Sequence, residues 1–339
     1  MLSAEPAYST RLGKCICGDS LDLIPQLTDE SVDLALTSPP FALQRKKEYG
    51  NPDQGDYVEW LATFALALLP KLKETGSFVI DIGGAYQKGI PSRSLYPFKT
   101  LIKFCDELGY HLAEDFYWFN PSKLPSPIEW VNKRKLRAKD SVNTVWWLSK
   151  TPWPKADIST VLTEYSPRMK QLLQDPTGFY SPKLRPSGHD IGAAFAQNNG
   201  GAIPSNLLSI PNSESNGAYL GTCKALGLVG HPARFPGKLP EFFIRMLTSP
   251  GDLVLDFFSG SNTTGMVAEA EGRRWLSFEL DREYTATSVF RFLGDKPVSE
   301  IAKEMHARVL AGEHLDLSAF RPQSELFEGE ATGPRAVNA

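Results

Sequence analysis

The 339-residue sequence is short of cysteine, of long apolar runs and of net charge, and each shortage excludes a class of protein. Of only four cysteines, Cys15 and Cys17 sit one residue apart and Cys105 and Cys223 stand alone. Neither a disulfide framework nor a zinc knuckle suits that spacing, so free thiols and no metal site are expected. The best apolar run, Trp60 to Leu69, falls short of the roughly 18 residues a bilayer span needs and is followed by Lys71 and Lys73. Met1 to Lys14 lacks the basic, apolar, small-residue order of a secretory signal, and a cytoplasmic protein is expected. A net charge of -3 and a pI near 6.0 give no global sign of polyanion binding, so any such face must be local. A hydrophobic content of 42% with mean hydropathy of -0.25 then leaves a soluble globular chain, long enough for two small domains or one with an insertion.

Residues 13 to 150 alternate β-rich runs with helical ones, the pattern of an α/β sheet with crossover helices. Strands are expected over 14–17, 32–36, 77–82, 112–119 and 142–148, with helices over 20–27 and 56–74. Between about 151 and 230 prolines and glycines crowd the chain and periodic helices are scarce, which predicts a loop-rich insert. From His231 the α/β pattern returns with helix 239–247, strand 253–256, helix 264–271, strand 275–279 and helix 298–310. The expected units are therefore 1–150, 151–230, 231–327 and a polar tail, 328–339.

The strand ending at Asp256 runs through Phe257, Phe258, Ser259, Gly260, Ser261, Asn262 and Thr263 into a helix, placing small residues where backbone approaches a ligand. A P-loop needs Lys after its second Gly, but Met266 follows Gly265; Ser259, Ser261 and Thr263 break a dinucleotide fingerprint. An amino-acid carboxylate fits the turn better. Glu279 ends the next strand at the distance where a carboxylate accepts ribose hydroxyls. Ribose plus carboxylate without phosphate points to S-adenosylmethionine, although the turn alone is equally a tight strand-to-helix connection with a solvated Glu.

The strand 32–36 ends in Thr37, Ser38, Pro39, Pro40 and Phe41. Two prolines fix φ and remove two N–H donors, so the Ser38 and Pro39 carbonyls are free at the carboxyl end of a strand, where open α/β sheets bind ligands. The lone pair of an exocyclic base amine is delocalised into its ring, and methylating it requires acceptors for its hydrogens. The Ser38 hydroxyl and Pro39 carbonyl are such acceptors, and Phe41 offers a face for a base taken out of its stack.

Ser38-Pro39-Pro40-Phe41 together with the Asp256 to Thr264 turn resembles the DNA amino-methyltransferases, in the form typical of N4-cytosine methylases from bacterial type II restriction-modification systems. The resemblance covers Lys14 to Lys150 and His231 to Tyr284, with the catalytic motif first as in the family's β arrangement. It implies a circularly permuted S-adenosylmethionine-dependent methyltransferase fold, with a mixed, mostly parallel seven-stranded sheet, helices on both faces and an inserted target-recognition region. By this resemblance Asp19 contacts the cofactor's adenine amine and Glu279 its ribose, and the segment with Lys238 and Pro240 helps hold the methionine end. Two departures stand out: Phe257 where many relatives have Pro, and Asn262 where many have Gly.

The resemblance implies double-stranded DNA as substrate, a cognate restriction endonuclease as functional partner and a place on bacterial cytoplasmic DNA. Local charge agrees: Lys133, Arg134, Lys135 and Arg137, with Lys123 and Lys139, outweigh Glu129, and Arg45, Lys46 and Lys47 follow the catalytic motif. Base reading is expected from the insert, with Arg168, Lys170, Lys183, Arg185 and His189 among its polar residues. Ser38 favours cytosine over N6 of adenine; the presence of Ser38, Glu279 and the Ser259 to Thr264 turn disfavours a silent DNA-binding regulator, and the permuted order and large insert disfavour methylation of RNA or a protein amide.

Overall fold

The computed structural model describes residues 4–42, 55–175, 197–212, 217–294 and 299–318. These separate into two units: residues up to 156 with those from 206 onward, and a smaller unit over 157–205. The larger holds one sheet of β1 (Tyr8–Ser9), β2 (Gly13–Cys17), β3 (Val32–Thr37), β4 (Leu72–Gly83), β5 (His111–Phe119), β6 (Val142–Ser149), β7 (Leu207–Ser209), β8 (Leu253–Asp256), β9 (Arg274–Glu279) and β10 (Leu315–Asp316). Its order is β10-β1-β2-β9-β8-β3-β4-β6-β5-β7. The seven expected strands form its contiguous middle; β1, β7 and β10, two or three residues each, extend both edges and make ten. Such stubs are too short for alternation to show in a sequence, yet they pair edges that would otherwise stay open.

The helices of this unit are α1 (Ser20–Leu23), α2 (Tyr57–Leu68), α3 (Tyr96–Ile102), α5 (Ala218–Ala225), α6 (Lys238–Leu247), α7 (Thr263–Ala270), α8 (Arg282–Ser288) and α9 (Ser299–Leu310); α4 (Pro167–Gln174) belongs to the small unit. The expected helix 56–74 stops at Leu68, because Pro70 closes it with a 3₁₀ turn and β4 begins at Leu72. Among the described residues no helix is long and apolar enough to cross a membrane.

The strand order positions the site. All six residues of β3 are buried, as a central parallel strand requires. β3 lies between β8 and β4, parallel to both. From β3 the chain crosses through α2 to β4 on one side; from β8 it crosses through α7 to β9 on the other. Right-handed crossovers in opposite directions put α2 and α7 on opposite faces and part the loops between the carboxyl ends of β3 and β8. The two motifs of the sequence occupy those two ends.

Candidate active site

A cavity of about 580 Å³ opens at this switch point, within the usual few-hundred to thousand Å³ range of small-molecule sites. Ser38, Pro39, Pro40 and Phe41 line one side; Asp19, Phe257, Ser259, Gly260, Ser261, Thr263 and Glu279 line the other. The fold thus brings both sets to one cavity. Asp256, Asn262, Lys238 and Pro240 are not among the lining residues.

Asp256 instead joins the motifs from beneath. Its carboxylate accepts Thr37 Oγ1 at 2.6 Å, Thr264 Oγ1 at 2.6 Å and the Phe258 N–H at 3.1 Å. Burial pushes its pKa up to about 6 against those stabilising donors. Asn262 caps α7 from a left-handed conformation, φ 56°, accepting Gly265 N–H and Ser277 Oγ and donating to Tyr8 Oη. That φ suits Gly or Asn, which explains the departure at this position. Phe257 is buried against Phe64 and Phe78, an aromatic wedge in place of a proline. Lys238 and Pro240 open α6, where Pro240 is buried.

The cradle for a cofactor is built from backbone and carboxylates. Gly260 has φ +52°, and a Cβ there would stand 2.9 Å from His231 Cε1, so only glycine fits. Its N–H donates to Glu279 Oε2 at 2.7 Å, while Asp281 N–H donates to Oε1 at 2.9 Å. Burial raises the Glu279 pKa to about 7. Asp19 Oδ1 accepts Leu21 N–H at 2.9 Å, capping α1. The buried Ser259 hydroxyl has no protein partner among the described residues although it lines the cavity. A site with two carboxylates, an unpartnered hydroxyl and a left-handed glycine turn fits an adenosyl group carrying an amino acid.

Arg291, Tyr219 and His231 support the turn. Arg291 donates to the Ser261 carbonyl and hydroxyl, and its guanidinium lies over the Tyr219 ring, 4.7 Å from the centroid. Tyr219 Oη accepts the His231 N–H at 2.9 Å. Burial lowers the pKa of His231 to about 4, which keeps the imidazole neutral against Gly260.

Beside the two prolines Ser38 Oγ donates to Asp81 Oδ2 at 3.0 Å. Asn143 Nδ2 donates to both oxygens of Asp81 at 3.0 and 3.3 Å. Burial pushes the Asp81 pKa up to about 6, partly offset by these two donors and by the charge of Lys123. Phe41 packs on the end of β4, where a Cβ at Gly83 would meet its ring at 2.4 Å. Asp81 was invisible as a site residue because β4 reads simply as a buried strand; its only signal was an acid among apolar neighbours.

The basic segment is partly neutralised. Arg134 pairs with Glu129 at 2.9 Å and stacks 5.2 Å from the Trp130 centroid, Lys133 lies 3.5 Å from Glu129, and Arg137 donates to the Pro91 carbonyl. Lys135 occupies a left-handed turn, φ 55°. Arg45, Lys46 and Lys47 lie outside the described residues, as do Lys183, Arg185 and His189.

Comparison with known proteins meets this geometry from outside. A DNA methylase family model for N6 and N4 enzymes matches residues 32–290. The chain is 62% identical over 316 residues to the type II methyltransferase M.PvuII of Proteus hauseri, covering 93% of this chain and 94% of that protein. It is 26% identical to M.BamHI of Bacillus amyloliquefaciens, over 81% of this chain and 56% of that one. A solved PvuII DNA methyltransferase described as cytosine-N4-specific superposes with a TM-score of 0.77 at 55% identity, over 94% of this chain and 99% of that chain. With the Ser38 to Phe41 segment and the turn after β8 lining one cavity, and a family model spanning both, the chain belongs to the DNA methylase family.

Proposed function

We propose that this protein transfers a methyl group from S-adenosylmethionine to the N4 amine of a cytosine flipped out of a short duplex sequence. The observation that carries the reading is the hydrogen bond from Ser38 to the buried Asp81 carboxylate beside Pro39 and Phe41. The relative described as cytosine-N4-specific supports the choice of base.

The chain's part in the reaction follows from its donors and acceptors. By donating a hydrogen bond to Asp81, Ser38 turns its lone pairs outward to accept one amine hydrogen, and the Pro39 carbonyl accepts the other. Both contacts draw the nitrogen toward sp³ and restore its lone pair. Phe41, fixed on Gly83, stacks the base. The cofactor, when bound, supplies an electrophilic sulfonium methyl. As the N–C bond forms, the amine's surplus proton passes to Ser38 Oγ while the Ser38 proton passes to Asp81. A carboxylate with a pKa of about 6 is ionised at neutral pH and still basic enough to take it. No covalent intermediate is required; alignment supplies the rate.

Glu279, Asp19 and Ser259 would hold the adenosyl and methionine parts, with Gly260 admitting them closely. Lys133, Arg134, Lys135 and Arg137 would meet phosphates, and Arg45, Lys46 and Lys47 would extend that face. The insert over 151–230, which contains the small unit 157–205, would read bases, and a cognate endonuclease would be the functional partner. The test is incubation of purified protein with unmethylated bacterial DNA and methyl-labelled S-adenosylmethionine, followed by nucleoside mass spectrometry. N4-methylcytosine is expected. N6-methyladenine would overturn the choice of base, and unlabelled DNA the reaction itself.

A further inference from the structure

The residues described so far hold an amine but do not identify the base that carries it. Cytosine and adenine both present an amine beside a ring nitrogen that accepts a hydrogen bond. They differ one position further along the edge, where cytosine offers the O2 carbonyl and adenine a C–H. A site that selects cytosine therefore needs N–H donors facing that position. Ser38, Pro39 and Asp81 supply acceptors, and the Asn143 amide donors are taken by Asp81.

Asn120 lies just beyond β5 and lines the same cavity. Its Oδ1 accepts two backbone N–H groups, from Ser122 at 3.1 Å and Asn212 at 3.2 Å. Two donors on one atom settle which end of the amide is oxygen. The Nδ2 group, with two hydrogens, has no acceptor among the described residues. The main chain is equally fixed: Asn120 N–H donates to the Ser141 carbonyl and its own carbonyl accepts Lys123 N–H. Lys123, on the same turn, lines the cavity too, and its charge reaches Asp81. Lys139 Nζ holds that turn through the carbonyls of Pro121 and Lys123.

We propose that Asn120 Nδ2, aided by the Lys123 ammonium, donates to the N3 and O2 edge of the target base and so selects cytosine. The inference rests on the placement of that base against Ser38, Pro39 and Phe41. The pinned amide is a donor set in advance, with little ordering left to do on binding. An adenine in the same place would leave a donor without a partner.

The test uses the full-length protein and duplexes carrying its mapped target site with either cytosine or 2-thiocytosine, whose sulfur is a poor acceptor, at the methylated position. Wild type should lose roughly 10-fold or more in kcat/KM on the thio duplex. Asn120→Asp keeps the acceptor for Ser122 and Asn212 and removes the donors. It should lose roughly 10- to 100-fold on cytosine while its further loss on 2-thiocytosine shrinks, because the two changes remove one contact. Lys123→Met, read the same way, covers the case in which the aspartate variant does not fold. Unchanged kcat/KM in both variants would overturn the proposal, as would full sensitivity to sulfur in the variants or none in wild type. Ser38→Ala on plain cytosine separates the premises: retained turnover there would refute the placement of the base, whereas an inactive Ser38→Ala beside a thio-insensitive wild type refutes only the donor role.

Discussion

The ends of β8 and β4 each carry a buried aspartate whose pKa burial lifts to about 6, and only one of the two lines the cavity. Asp256 is surrounded by Thr37, Thr264 and the Phe258 N–H and does not line the cavity. Asp81 is held by Ser38 and Asn143 and does line it. One carboxylate fastens the turn after β8 to β3; the other stands behind the Ser38 hydroxyl, to which the proposed mechanism gives the amine's proton. A raised pKa therefore marks burial, and only the direction in which the donors open separates a latch from a proton acceptor.

The largest way to break this pairing is Asp81→Asn, which keeps an acceptor for Ser38 and removes the base. Single-turnover methyl transfer at saturating cofactor should fall by about 10²- to 10⁴-fold with cofactor affinity unchanged. Ser38→Ala should do the same. In wild type that rate should climb as pH rises through about 6, where Asp81 ionises, and the climb should vanish in Asp81→Asn. A variant that kept both rate and pH limb would remove Asp81 from the proton's path.

Glu279→Gln acts on the cofactor side. Ribose hydroxyls donate best to an ionised carboxylate, so cofactor affinity of the wild type should weaken as pH falls through about 7. The variant should bind roughly 10-fold more weakly at pH 8 and with little pH dependence, as titration calorimetry would read. An unaltered Kd would mean that the Gly260 and Asp281 N–H groups satisfy this carboxylate by themselves.

Asp256→Asn should show in stability before activity. A folded carboxyl pKa of about 6, above the unfolded value near 4, contributes stability that is full below pH 4 and lost as pH rises through 6. Denaturant unfolding should flatten over that window in the variant, with a loss of about 1 kcal/mol from the disturbed threonine bonds at pH 5. An unchanged pH slope would show that Asp256 is not protonated there in the folded protein.

The same contrast explains what the sequence made legible. The cofactor turn and the Ser38 to Phe41 segment are contiguous, so punctuation by glycine and proline and the length of the βαβ unit exposed them. The rest of the site comes from four adjacent strands, with Ser38 after β3, Asp81 on β4, Asn143 on β6 and Asn120 after β5, and register rather than spacing brings them together. Asn143 sits opposite Gly83 on β4 and Trp118 on β5, a pairing no linear pattern encodes. Asp256 had the converse problem: its place in the motif suggested a ligand contact, while the hydroxyls of Thr37 and Thr264 turn it inward. The helical periodicity of 56–74 runs on past Pro70, whereas α2 stops at Leu68 ahead of that proline.

The smallest effect tests the exposed charges against the buried ones. Lys133 is 69% exposed and 3.5 Å from Glu129, a pair that water and salt screen almost completely, so its loss should leave folding and cofactor affinity alone. If it meets a phosphate, Lys133→Ala should reduce by about 1 the slope of log affinity for duplex DNA against log salt. The affinity itself should fall only several-fold at moderate salt, equally for specific and nonspecific duplexes, because phosphates carry no sequence. An unchanged slope would take Lys133 off the DNA and leave Arg134, already engaged by Glu129 and Trp130, as a structural cation of the same turn. Asp81→Asn and Lys133→Ala thus separate the two uses of charge: one should alter rate without altering salt dependence, the other salt dependence without altering rate.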